Sequence, residues 1–208
     1  MIKKVLLALA TTMLAASTSV FATAKNGLYL GLQMGESKAN YSDNSSGLNS
    51  FFSQPTLPNA SIDENSFAGR LYMGYQWNKF IAAELGYNYL GNVQFNNIFG
   101  ISGADADLRQ QAADLSAKVM LPITKQFNVF ALGGGAYVWA KAWNTSTTAD
   151  TMGVEVGSSQ GTFTPVYGLG ADYDFNEHWG VDVSWRRFIA NGDLEQTDLA
   201  MAGVAVHF

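Results

Sequence analysis

Six charged residues stand out because each lies in a run where apolar residues alternate with small ones. They are Arg70, Glu84, Lys118, Asp172, Asp182 and Arg186. Together they could form a network of ion pairs or line the path of small ions through a protein. Removing an isolated charge from water is costly, so such groups are expected to pair with opposite charges. Whether they meet depends on the elements that carry them.

Conventional catalytic and metal-binding residues are scarce. The chain has no cysteine and two histidines, which excludes a thiol enzyme and a cysteine zinc site. His178 lies in a predicted short turn and His207 next to the last residue, so neither lies near the long connections. Asp105 and Asp107 are two carboxylates in one predicted loop, too few to predict a calcium site. We expect no enzyme activity, no metal and no cofactor.

The composition is unusual for a protein surrounded by water. Charged residues make up 14% of the 208 residues, against about 25% in soluble domains. Aromatic residues reach 13% and there are 21 glycines, yet mean hydropathy is only +0.01. The formal charge of −5 argues against a nucleic-acid binder.

The N-terminus has the pattern of a secretory signal peptide. Lys3 and Lys4 precede an apolar stretch from Val5 to Leu14, and Ala22-Thr23-Ala24 is a small-residue cleavage site. A membrane anchor is the alternative, but the apolar stretch is short for one. We expect a signal peptide over residues 1–24 and a single domain over residues 25–208. A second candidate cleavage site ends at Ala22.

The rest of the chain alternates apolar and other residues with a period of two, which indicates β-strands. The first strand shows the pattern in Leu28, Leu30, Leu32 and Met34. The run from Phe127 to Trp143 is apolar on both faces, so its register stays open. With a last strand from about Thr197 to Phe208, the sequence predicts eight strands.

Two architectures fit this alternation, a water-soluble barrel or sandwich and an outer-membrane barrel. The non-apolar faces carry mainly glycine, alanine and serine, which suit the crowded interior of an eight-stranded barrel. Short connections near Asn78, 122–126 and 176–178 alternate with long ones over 38–66, 91–107, 144–161 and 187–196. Aromatic residues cluster at strand ends, as interfacial girdles do: Tyr75, Trp77, Phe80, Tyr173 and Trp179 at one rim, Tyr89, Phe163, Trp185 and Phe188 at the other. We predict an all-β, eight-stranded antiparallel up-and-down transmembrane β-barrel.

The C-terminal residues Gly203, Val206 and Phe208 resemble the signal read by the outer-membrane assembly machinery. Met201 departs from that signal, which prefers a polar residue there. The alternative is a strand that simply ends in phenylalanine.

Several segments resemble the transmembrane domain of the OmpA family. They are Gly74–Asn78, Glu84–Tyr87, Leu90-Gly91, Ala117-Lys118, Leu121–Thr124 and Val166–Tyr173. The resemblance implies an eight-stranded barrel in the bacterial outer membrane. It also implies a salt-bridge network inside the barrel, in which Glu84, Lys118 and Asp172 match the family. Asp182 stands where the family has an interior arginine, and Arg186 or Arg70 could compensate.

Two functions remain open from the sequence. One is a structural and surface-interaction role through long extracellular loops, in membrane integrity, adhesion or host interaction. The other is a narrow or gated pore for ions and small solutes. Expected partners are outer-membrane lipid and lipopolysaccharide, the assembly machinery, and a host or phage receptor at the loops, with the chain as a monomer. Many family members add a peptidoglycan-binding domain, which we do not expect here.

Overall fold

The computed structural model describes residues 26–39, 61–63, 65–96, 106–144, 159–191 and 196–208. Regular structure in these ranges consists of nine strands: β1 (Gly27–Ala39), β2 (Ser61–Asp63), β3 (Asn65–Asn78), β4 (Ile81–Asn96), β5 (Ala106–Pro122), β6 (Phe127–Asn144), β7 (Ser159–Asp174), β8 (Trp179–Phe188) and β9 (Thr197–His207). Over these same ranges, no helix has the length and apolarity needed to cross a membrane. The signal peptide predicted over residues 1–24 lies outside the described residues.

Eight of the strands close into a barrel. Chain neighbours from β3 to β9 pair antiparallel, and β1 closes the ring by pairing with both β3 and β9. The predicted eight-stranded antiparallel up-and-down barrel is therefore confirmed. The short β2 pairs only with the end of β4, where Ile62 lies opposite Phe95, so it extends the wall without joining the ring.

The sequence placed two boundaries wrongly at the end with the long connections. The connection predicted over residues 91–107 is shorter, because β4 continues to Asn96 and β5 begins at Ala106. The connection predicted over residues 38–66 contains β2. Both errors have one cause. The apolar alternation stops where polar residues begin, but the hydrogen bonds between the strand backbones continue further, because there neither face of the strand needs to be apolar.

Each of the three tight turns is held by one polar side chain. Asn78 Oδ1 accepts hydrogen bonds from the backbone N–H groups of the residues two and three further on, at 2.8 and 3.0 Å. Thr124 Oγ1 and Asn176 Oδ1 make the same pair of contacts in the other two turns. Such side chains favour turns because they replace a backbone acceptor locally. We call this end of the barrel the turn end and the opposite one the loop end.

The strands separate an apolar outer wall from a mixed lumen. The large apolar side chains of the odd positions of β3 and the even positions of β1 are exposed, among them Leu71, Leu32 and Met34. The pairing of β6 with β5 and β7 settles the register that the sequence left open. It turns Phe130, Leu132, Ala136, Val138 and Ala140 inward.

Candidate functional site

The lumen gathers charged side chains from five strands. Successive residues point to opposite faces, so the even positions of β3, β4, β5, β7 and β8 all face inward. The structure places all six charged residues singled out from the sequence on this inner face, and it adds a seventh. The set is Arg70, Glu84, Asp114, Lys118, Asp172, Asp182 and Arg186. We call these seven residues the lumen network.

Glu84 is the centre of the lumen network. Its Oε2 lies 2.8 Å from Arg186 Nη2 and 3.2 Å from Arg70 Nη1. Its Oε1 lies 3.5 Å from Lys118 Nζ and accepts a hydrogen bond from the Tyr29 hydroxyl at 3.1 Å. One carboxylate thus meets three cations, and its side chain is only 2% exposed.

Asp114 is the second carboxylate that holds the two arginines, and the sequence argument left it out of the site. Its Oδ2 lies 3.2 Å from Arg70 Nη2 and 3.5 Å from Arg186 Nη1. Asn88 donates to its Oδ1 at 2.6 Å and Ser116 to its Oδ2 at 3.0 Å. The sequence held a signal that could have identified Asp114: in an alternating strand it shares a face with Ser116 and Lys118.

Lys118 joins the centre of the network to its turn side. Its Nζ lies 3.0 Å from Asp172 Oδ1 as well as 3.5 Å from Glu84. It also lies 3.9 Å from the centroid of the Phe130 ring, where the negative face of the aromatic ring favours a cation. The Glu84–Lys118–Asp172 chain expected from the family resemblance is therefore present, and both Arg70 and Arg186 contact Glu84.

Asp182 is held differently from the other carboxylates. Tyr72 donates its hydroxyl to Asp182 Oδ1 at 3.1 Å, and the Gln33 amide donates to Oδ2. Asp182 lies directly opposite Asp172 across β7 and β8. The lumen network has four carboxylates and three cations, and Asp182 is the member whose described contacts are with neutral donors.

Two tyrosines reach the network because glycines face them. Tyr29 lies opposite Gly74 and Tyr72 opposite Gly31 in the β1–β3 ladder. A Cβ added at Gly74 would lie 2.2 Å from the Tyr29 ring, and one at Gly31 would lie 2.1 Å from the Tyr72 ring. These glycines therefore leave the space in which the two rings lie across the lumen.

An apolar layer lies between the lumen network and the loop end. Leu199 lies opposite Arg186, and Phe188 lies opposite both Val166 and Thr197. These apolar side chains are buried, as are Leu90 and Val138 at neighbouring inward positions, and Leu199 is 0% exposed. Toward the loop end, the inner face therefore changes from the ions of the lumen network to buried hydrocarbon.

A cavity of about 270 Å³ occupies the turn end of the lumen. Lys118, Asp172 and Asp182 line its inner end, with Tyr29 and Tyr72 beside them. We call this cavity the vestibule. Among the described residues, no group of three histidine or acidic side chains could hold a metal ion.

Most of the aromatic residues proposed as girdles lie on the outward face. At the turn end, Tyr75, Trp77, Phe80, Tyr173 and Trp179 are exposed. At the loop end, Tyr89 and Trp185 are partly covered, Tyr89 by its hydrogen bond to Asn92 and Trp185 by the Arg187 guanidinium over its ring. The structure adds to the loop-end girdle aromatic residues that the sequence argument left unassigned: Tyr87, Tyr137, Trp139 and Tyr167. Phe163, which the sequence assigned to this girdle, is exposed on the outward face, whereas Phe188, assigned there too, is buried and faces inward.

The three residues of the proposed assembly signal lie on β9 and just after it. Gly203 lies opposite Gln33 of β1, and a Cβ there would lie 2.2 Å from a backbone oxygen of that strand. Val206 faces the same side as the exposed Phe208. Recognition of these residues by the assembly machinery stays a prediction.

A family comparison identifies this architecture. The family model of the OmpA-like transmembrane domain matches residues 23–208. The chain belongs to this family. As an OmpA-like barrel it lies in the bacterial outer membrane. In such barrels the short turns face the periplasm and the longer loops face the outside.

Two proteins illustrate the sequence similarity of this chain to its relatives. Outer membrane protein A of Serratia marcescens is 24% identical over 192 residues, covering 91% of this chain and 50% of that protein. An uncharacterized protein of Coxiella burnetii is 32% identical over 154 residues, covering 64% of this chain and 62% of that protein. The chain thus spans about half to three fifths of the length of these relatives.

Two crystal structures share the fold at low sequence identity. OprG from Pseudomonas aeruginosa has a TM-score of 0.65 at 16% identity, covering 91% of this chain and 99% of that one. Ail, the attachment invasion locus protein of Yersinia pestis, has a TM-score of 0.54 at 14% identity, covering 88% and 99%.

Proposed function

We propose that this OmpA-like barrel is a structural and surface-interaction protein, a closed scaffold that displays extracellular loops. Its role would be in membrane integrity, adhesion or host interaction. The observation that carries the proposal is that two successive layers of buried side chains lie inside the barrel, the lumen network and the apolar layer around Leu199 and Phe188.

The energetics of the lumen favour a scaffold over a channel. Breaking a buried ion pair by removing one partner costs about 3–5 kcal/mol, and Glu84 joins three cations. A conducting path would have to separate these ions and also displace the tightly packed side chains of the apolar layer. Because the two layers differ in chemistry and lie one after the other, disrupting one would leave the other in place, as expected of a scaffold that does not conduct ions.

The loops are the surface that would meet a partner. The connections over residues 40–60, 97–105 and 145–158 join strands at the loop end. They are rich in asparagine, serine, threonine and glycine, which remain hydrated without packing. Ail is by name an attachment protein and was crystallised with the heparin analogue sucrose octasulfate, which supports testing sulfated glycans first.

Replacing residues 41–59 by a short linker tests the role of the first loop. Bacteria that display the shortened chain should lose adherence to heparin-coated surfaces and host cells, while unboiled and boiled protein still migrate differently in detergent gels. The matched control shortens residues 146–157 instead. Adherence unchanged by both deletions, with the barrel folded, would refute the surface-interaction role.

A narrow or gated pore is the second candidate, and the vestibule favours it. This cavity reaches Lys118 and Asp172 from the periplasmic side, so ions have access to the inner end of the lumen network. A pore would give discrete conductance steps in planar bilayers, altered by Glu84→Ala or Lys118→Ala. Silent bilayers containing folded protein would eliminate it.

A further inference from the structure

Two carboxylates lie side by side at the inner end of the vestibule. Asp172 of β7 is directly opposite Asp182 of β8, and both residues line the cavity. Directly opposed residues have their Cβ atoms about 4.5–5.5 Å apart, and like charges at that separation destabilise a sheet. The lumen-network cation that lines this end is Lys118, whose Nζ is divided between Asp172 at 3.0 Å and Glu84 at 3.5 Å. The two opposed carboxylates thus depend on one ammonium that Glu84 also contacts.

A buried hydrogen-bond acceptor beside Asp182 lacks a donor. Gln33 reaches Asp182 across Gly203, which lies opposite both residues in the two ladders of β9. The Gln33 Nε2 donates to Asp182 Oδ2 and, at 3.1 Å, to the Ser184 hydroxyl. The Oε1 of the same amide is buried and has no hydrogen-bond partner among the described residues, and Gln33 is only 2% exposed. An unsatisfied buried acceptor costs about 1–3 kcal/mol, so we expect a donor at this place.

The vestibule gives a small solute access to these acceptors. A single water needs only about 10–15 Å³ of such a cavity, so a volume of about 270 Å³ has room for an organic group as well. The Asp172 side chain keeps 18% exposure although its Oδ1 contacts Lys118, so part of this carboxylate faces the cavity. Tyr29 and Tyr72 line the cavity beside the carboxylates, and the faces of aromatic rings attract ammonium groups.

The inner end of the vestibule fits a ligand with both a positive charge and N–H donors. The lumen network has four carboxylates and three cations, and the described contacts of Asp182 are with neutral donors. Two further lysines that line the cavity, Lys79 and Lys125, come from the turns at its outer end. A water molecule would give the Gln33 Oε1 a donor but would add no charge. A primary ammonium supplies one positive charge and three N–H donors, which matches both features.

We propose that the inner end of the vestibule binds the protonated primary amine of a small solute from the periplasm. The ammonium donates to Asp182, Asp172 and the Oε1 of Gln33, and hydrogen bonds between ionised groups are the strong ones. Its charge offsets the repulsion between the two opposed carboxylates and gives the four carboxylates of the lumen network a fourth cation. The site goes beyond the proposed surface role, because it depends neither on the loops nor on conduction.

The test is an NMR titration of the folded, nitrogen-15-labelled chain in nonionic detergent micelles with propylammonium chloride. The backbone amides of Gly180 and Val181, which line the vestibule, should shift until they saturate, whereas amides at the loop end should not shift. Asp182→Asn should weaken binding about tenfold or more, because it removes the charge that the ammonium contacts. Asp174→Asn is the matched control. It removes the same charge from the cavity lining two residues nearer the turn end than Asp172, and should weaken binding less than about twofold.

Two other salts separate hydrogen bonding from charge alone. Tetramethylammonium carries the charge without an N–H donor and should bind at least about tenfold more weakly, and sodium chloride at the same ionic strength should give no saturating shift. Gel migration of unboiled samples establishes that each variant is folded, and the three salts test the site on the parent chain if a variant fails. Equal binding of the three cations, equal weakening by the two aspartate variants, or no saturating shift with propylammonium, as when water alone meets Gln33, overturns the site. None of these results bears on adherence through the loops, so the two proposals fail independently.

Discussion

Replacing Glu84 by glutamine tests whether one carboxylate holds the lumen network together. The substitution keeps the shape of the side chain and removes the charge that faces Arg70, Lys118 and Arg186 at 3.2, 3.5 and 2.8 Å. Glu84, Arg70 and Arg186 are at most 2% exposed, so water has little access to the charges that the substitution leaves unpaired. We expect the free energy of unfolding to fall by about 3–5 kcal/mol, the cost of leaving buried charge uncompensated.

Asp182→Asn is the matched control in the same lumen. Asp182 is held by Tyr72 and Gln33 and lies opposite the like-charged Asp172. Losing its charge weakens two hydrogen bonds by about 1 kcal/mol and relieves repulsion between the two carboxylates. We therefore expect the free energy of unfolding of Asp182→Asn to change by no more than about 1 kcal/mol. This change is smaller than the one expected for Glu84→Gln by at least about 2 kcal/mol, which is about 30-fold in the equilibrium constant.

Reversible urea unfolding in lipid vesicles, followed by tryptophan fluorescence, measures both changes. The parent chain and both variants are compared at the same lipid composition, with gel migration as the check that each has folded. An Asp182→Asn variant that loses as much stability as Glu84→Gln would refute the assignment of Glu84 as the centre. A Glu84→Gln variant as stable as the parent chain would refute the network energetics as a whole.

Three further predictions follow from the lumen and the N-terminus. Leu199→Ala should lower the free energy of unfolding by about 2–5 kcal/mol. This variant should leave planar bilayers without conductance steps, whereas its combination with Glu84→Ala should produce them. Conductance steps from Leu199→Ala alone would contradict closure by two layers. Gly74→Ala should displace the Tyr29 ring, which lies 2.2 Å from the added Cβ, and lower stability by about 1–3 kcal/mol in the same urea titration. Mass spectrometry of protein purified from outer membranes should find Lys25 as the first residue, and an intact residue 1 would contradict the signal peptide.

The alternation in the sequence determined which side chains form most of the outer wall of the barrel. A strand places successive side chains on opposite faces, so Leu28, Leu30 and Leu32 share one face of β1, and that face is apolar. The same rule puts Arg70, Glu84 and Lys118 together on the inner face. The turns near Asn78 and Asn176 follow from side chains that bond their own backbone.

Alternation could not identify the neighbours of each residue. The β6 segment is apolar on both faces, and only its hydrogen bonds to β5 and β7 decide that Phe130 and Leu132 face inward. Asp114 shares a face with Lys118 in the sequence, but its contact with the two arginines depends on the curvature of the closed barrel. Sequence order also separates Tyr29 from Gly74, which the register places opposite each other.

The sequence by itself therefore determined the class of fold, the outward face of most strands and the residues available inside. Only the tertiary structure decided that Glu84 is the centre of the network and that Leu199 and Phe188 form a buried apolar layer beside it. The physical reason is that a period of two is local to one strand. Contacts across the lumen and between neighbouring strands depend on register and ring closure, which many strands set together.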